Sequence, residues 1–102
     1  MSDFAELTRL WAEFRQRAFP ESVIAQEVDG VCLVTTDSFA AGCIETALTN
    51  GGRLDDAQRT MLIASMSDLD RIFYALDGEA LSYFVLLRQI GTRVLGGLSK
   101  VT

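Results

Sequence analysis

Between Gly78 and Leu98 the chain carries apolar side chains on nearly every side of a helix. Phe84, Leu87, Gly91, Val94, Leu95 and Leu98 recur by three and four and form one stripe. Leu81, Val85, Leu86 and Ile90 fall substantially outside it. A surface helix does not usually spend so much apolar area on its far side, so this segment calls for burial in more than one direction. Each large aliphatic or aromatic side chain taken out of water contributes about 1.5–3 kcal/mol. Three arrangements meet the requirement: the helix is the centre of a small bundle, its outer side is a self-association or partner surface, or it lines an apolar ligand cleft.

Three further helices precede it. The first is expected from Asp3 to about Ala18, with Asp3 and Glu6 at the spacing of a reciprocal capping box. Phe4, Leu7, Trp11, Phe14 and Ala18 make its buried stripe, widened by Leu10, and Pro20 ends it by disfavouring helical backbone at Phe19. Trp11 sits with Phe14 on that inner stripe, which makes it a core residue. The second helix is expected from Asp37 or Ser38, as cap, to about Thr49. Its stripe is Ala40, Cys43, Ile44, Ala47 and Leu48, with Phe39 and Gly42 beside it and Glu45 and Thr49 facing away. Asn50-Gly51-Gly52 supplies the left-handed residue that stops it. The third runs from Asp56 to about Ala75, with Asp55 and Gln58 again at capping-box spacing. Leu62, Met66, Leu69, Phe73 and Leu76 form its seam, broadened by Met61, Ile63 and Ile72. Asp77 caps the fourth helix, Glu79 lies in its first turn where the helix dipole favours a carboxylate, and Gly96-Gly97 ends it.

The stretch from Glu21 to Thr36 is read less regularly. Pro20 fits the first turn of a short helix through Glu27, and Asp29-Gly30 marks a turn. Val31 to Thr36 is β-prone, yet a lone strand has nothing to pair with inside one chain. Two readings follow: an irregular or single-turn segment that tucks Val31 and Val34 into the core, or a strand that pairs with its own copy across a dimer. The expected architecture is a single all-α domain over residues 1–102, a compact bundle of about four helices with one irregular or β-like segment before helix two.

Chemistry-bearing motifs are scarce. The chain contains no histidine, which removes the usual general base near neutral pH and every Ser-His-Asp or Cys-His arrangement. Cys43 lies on an apolar stripe, where burial raises a thiol's pKa, and Cys32 and Cys43 lack further ligands at zinc-like spacing. Asp55-Asp56, Asp68 with Asp70, and Asp77 with Glu79 are explained as caps, first-turn charges and solvated faces; Asp68-Leu69-Asp70 lacks the ligand alternation and glycine of a calcium loop. Asn50-Gly51-Gly52 follows a helix rather than a strand and no Lys-Ser or Lys-Thr comes after it, so it is not a phosphate loop. No catalytic, metal or cofactor residue is therefore assigned.

The formal net charge is -5, and the basic residues are scattered, which argues against a nucleic-acid partner. No apolar run approaches the ~18 residues that a membrane span needs. The first residues are acidic and amphipathic where a secretory signal is basic and then apolar, so a cytoplasmic location with two reduced, buried cysteines is expected. The run from Asp37 through Ala41-Gly42-Cys43-Ile44 to Asn50-Gly51-Gly52-Arg53-Leu54-Asp55 resembles a pattern that recurs in small bacterial proteins of high-GC genomes. Eight arginines against one lysine agree with such a genome. The resemblance implies a bacterial accessory protein and carries over no activity and no site residue.

The functional expectation is a non-enzymatic protein-binding module, self-associating as a homodimer. An inhibitor-like or immunity-like role against a basic partner suits the acidic charge. Leu81, Val85, Leu86, Ile90, Arg88 and Arg93 are its candidate interface. The alternative is a small apolar ligand in a cleft between helices two and four, lined by Phe39, Cys43, Phe84 and Leu87, where Ala40, Gly42 and Gly91 leave room.

Overall fold

The structure is a computed structural model that describes residues 3–24 and 26–96. It contains α1 (Asp3–Arg15), a 3-10 turn (Glu21–Val23), β1 (Glu27–Val28), β2 (Val31–Cys32), α2 (Leu33–Thr49), α3 (Asp56–Ile72), a second 3-10 turn (Phe73–Ala75) and α4 (Gly78–Leu95). Helix α4 packs against α1, α2 and α3, and α2 and α3 pack on each other. The fold is an all-α bundle with α4 at its centre, which is how its broad apolar surface is used. Its buried face runs through Ala80, Tyr83, Phe84, Leu87, Ile90, Gly91 and Val94.

Ile90 was expected outside the buried stripe and is instead fully buried. With three neighbouring helices to meet, the buried face of α4 is wider than a single stripe, and Ile90 lies one turn beyond Leu87 on that face.

At the start of the chain, Leu7, Trp11 and Phe14 are buried as the spacing requires. Trp11 stacks on Phe14 at 5.4 Å between centroids, Phe14 meets Tyr83 at 4.7 Å, and Phe19 meets Tyr83 and Phe84 edge-on. These rings fasten α1 to α4. The first helix ends at Arg15, three residues before the expected point, and Gln16 and Arg17 continue as a tighter turn bonded to Glu13 and Phe14 carbonyls. The start of α1, where Asp3 and Glu6 were expected to cap, falls at the edge of the described residues.

The segment before α2 departs most from expectation. Asp29 and Gly30 adopt φ of 51° and 81°, the left-handed pair that a two-residue hairpin turn needs, and β1 and β2 pair antiparallel with Val28 opposite Val31. The β-like residues thus find a partner within the chain, in the two residues before the turn. Only Val31 and Cys32 are extended; Leu33 to Thr36 already belong to α2. Asp37 and Ser38 are inside the helix and do not cap it. Cys32 occupies the cap position without a side-chain cap bond. Packing overrides the β propensity here, because Leu33 and Thr36 extend the buried line of Ala40, Cys43, Ile44 and Ala47. Val31 is buried as expected, whereas Val34 is exposed.

The stop of α2 and the start of α3 lie where expected, while α3 ends at Ile72, three residues before the expected Ala75, and tightens into the second 3-10 turn. Gly51 and Gly52 have φ of 69° and 94°, and the Gly52 N–H donates to Ala47 O at 2.7 Å, closing α2. The Gln58 N–H donates to Asp55 Oδ1 at 2.7 Å and the Asp55 N–H to Gln58 Oε1 at 3.3 Å, a complete capping box for α3. Asp77 stands at the cap position of α4, again without a side-chain cap bond, and Gly96 closes that helix. Leu98 and Gly97 lie outside the described residues. No helix among the described residues is long and apolar enough to cross a membrane.

Candidate functional site

Once three helices have covered the inner side of α4, its outer side remains. Two shallow adjoining grooves run along it. One, of about 610 Å³, is lined by Asp70, Phe73, Val85, Arg88, Gln89, Thr92 and Arg93. The other, of about 500 Å³, is lined by Arg17, Gly78, Leu81, Ser82, Val85, Leu86 and Gln89. Val85 and Gln89 belong to both and form the ridge between them. Val85 is 43% exposed, while Leu81 and Leu86 are half-buried on either flank.

Five of the six residues expected at an interface therefore converge on this strip: Leu81, Val85, Leu86, Arg88 and Arg93. Ile90 does not join them. The two arginines are held by carboxylates of neighbouring helices. Arg88 makes a two-point pair with Asp70 of α3, at 2.5 and 3.0 Å, and that bond raises the guanidinium's pKa further. Arg93 donates to Glu6 Oε1 of α1 at 3.1 Å. Beside the second groove, Arg17 donates to the Ser82 hydroxyl at 3.0 Å and lies 6.0 Å from the centre of the Tyr83 ring. Phe73 and Arg17 join the strip, although the sequence pattern placed Phe73 on an inner seam and named Arg17 for no site. The 3-10 turn after α3 rotates Phe73 toward α4, and no local spacing announces that turn.

The four residues named for an apolar cleft do not converge. Phe84 and Leu87 are fully buried and Cys43 nearly so. Phe39 is 49% exposed and lines a different groove with Met61, Ala64, Ser65 and Asp68 of α3. The Cys43 thiol donates to Gln58 O at 3.5 Å, so this flank of α2 faces α3 instead of α4. Burial and the nearby Asp55 charge push the Cys43 pKa up, which makes it a small core side chain rather than a nucleophile. Gly91 leaves no hole either, since a methyl group there would sit 2.5 Å from Met66 Sδ. It lets α3 approach α4. Gly42 points to open space and plays no such part.

Two other polar features were not legible as pairs. The Trp11 indole N–H donates to Glu45 Oε1 at 2.8 Å, and Arg15 reaches the same oxygen at 2.6 Å, tying α1 to α2. Cys32, half-buried at the start of α2, receives the Thr35 hydroxyl at 3.3 Å, which draws its thiol pKa down. Among the described residues no group of three or more Cys, Asp and Glu side chains is arranged to hold a metal ion. The geometry thus offers an open surface of mixed character rather than an enclosed reaction centre. Comparison with family models, with curated proteins and with solved structures finds no match to this chain.

Proposed function

We propose that the protein is a non-enzymatic accessory module of the cytoplasm that works by docking another protein surface onto the outer side of α4. The observation that carries this reading is Val85, 43% exposed on a ridge between two grooves, with Leu81 and Leu86 beside it and paired arginines at the rim. An apolar centre bordered by satisfied charges is the usual anatomy of a protein interface. Both cysteines are free, as suits a reducing compartment.

The test is retention on immobilised protein, both of the purified chain itself and of components of the native cell extract. Retention is expected on wild type and lost with Val85→Lys and with Leu86→Glu, two changes on the proposed surface. Equal retention by wild type and both variants would remove the outer face of α4 as the docking site.

A further inference from the structure

The partner that fits this surface best is a second copy of the same chain. We infer that two copies meet through α4 in antiparallel orientation, about a two-fold axis beside Val85 and Leu86; the inference rests on the docking role proposed for that face. The argument is one of charge. A protein of net charge -5 repels its own copy unless the contact is locally neutral or complementary. Helix α4 is suited to this, since it carries one carboxylate, Glu79, against two guanidinium groups, Arg88 and Arg93.

The order of these charges selects the orientation. Glu79, Leu86 and Arg93 follow one another at seven-residue intervals and so share one flank of the helix. Antiparallel pairing about Leu86 brings Glu79 of each copy opposite Arg93 of the other, twice per dimer, as an isologous contact requires. Parallel pairing would place the same flank of the two copies on opposite sides of the pair and leave Glu79 out of reach of the other copy's Arg93. Glu79 is exposed and makes no ion pair among the described residues, and Arg93 uses one donor on Glu6 while a guanidinium has five. Along the outer side Gly78, Ser82, Val85 and Thr92 are small, and Gln89 is the one long side chain between them.

Sedimentation equilibrium over a concentration series tests this with wild type, Val85→Lys, Glu79→Arg, Arg93→Glu and an equimolar mixture of the last two. Thermal unfolding of each variant shows whether it is folded. Wild type is expected to dimerise and Val85→Lys to be monomeric. Glu79→Arg is expected to weaken association about tenfold, because reversal acts at two related contacts. The mixture is expected to associate more tightly than either variant alone, since each reversed charge then faces its opposite. The inference falls if wild type is monomeric up to about 1 mM, if the dimer is indifferent to Val85→Lys, or if the mixture gains nothing. A monomeric wild type whose retention of another protein is still lost in Val85→Lys would overturn the dimer and leave the docking role standing.

Discussion

The Tyr83 hydroxyl donates to Asp37 Oδ1 at 2.8 Å, linking the middle of α4 to the first turns of α2. The two groups hold each other in their ordinary protonation states from opposite sides. Burial, and then the bond to Asp37 itself, raises the Tyr83 pKa, while burial raises that of Asp37 and the tyrosine's bond partly opposes it. Removing the hydroxyl leaves a half-buried carboxylate without its donor. Tyr83→Phe is therefore expected to lower stability by about 1–2 kcal/mol in urea unfolding, despite keeping the ring in the aromatic cluster.

The raised Asp37 pKa has a definite sign. A carboxyl whose folded pKa exceeds its ordinary value of 3.8 binds its proton more readily when folded. Its ionisation cost is fully present above the folded pKa and disappears below the unfolded one. Wild type should thus gain stability relative to Asp37→Asn as the pH falls from 7 through the folded pKa toward 3.8. Denaturant midpoints of both proteins at several pH values measure the difference. A constant difference would mean that the Asp37 pKa is the same in folded and unfolded chains.

At Gly91, α3 packs directly onto the backbone of α4. A methyl group there meets Met66 Sδ at 2.5 Å and Cε at 2.8 Å, both at the far end of a flexible side chain, with Leu62 Cδ1 at 3.5 Å. Gly91→Ala should change stability by less than about 1 kcal/mol, because the helix propensity gained offsets the shift of Met66. Gly91→Leu has no such room and is expected to cost about 3 kcal/mol. Thermal or urea unfolding of the pair distinguishes close approach from spare space.

Asp55 is exposed, so the worth of its cap is little entangled with packing. Asp55→Ala is expected to lower stability by about 1 kcal/mol, and Asp55→Ser or Asp55→Asn to recover most of that loss. Chemical denaturation of the three variants gives the ranking.

The caps and stops were legible because they are local: Asn50-Gly51-Gly52 and Asp55 with Gln58 form the bonds their spacing announces. The bundle was legible from periodicity, since Leu7, Trp11, Phe14, Leu62 and Leu69 are buried as their spacing required. What escaped depends on partners distant in sequence. The first turn of α2 is β-prone by its β-branched residues, which left a strand and an irregular or single-turn segment both open, and the burial of Leu33 and Thr36 against the bundle accompanies its helical form. The hairpin was half seen, in the Asp29-Gly30 turn, because strands of two residues carry no alternation to detect. For the α4 surface, the sequence pattern brought out Val85, Leu81 and Leu86 but could not show that Ile90 is needed inside, nor that Phe73 and Arg17 border the strip.

The central place of α4 bears on how the chain acquires its structure. In order of synthesis α4 follows the three helices it touches, so Phe84, Leu87 and Ile90 are absent while α1 to α3 are being made. Helices α2 and α3 have each other to lean on, but α1 gains the Tyr83 ring, against which its Phe14 packs, only once α4 is made. Protease resistance on the ribosome should therefore be missing from nascent chains that stop before Gly78, and should appear abruptly once the whole of α4 has left the exit tunnel. Until then, the newborn protein presents its future interior to the cell, and its dependence on chaperones should be concentrated in that interval.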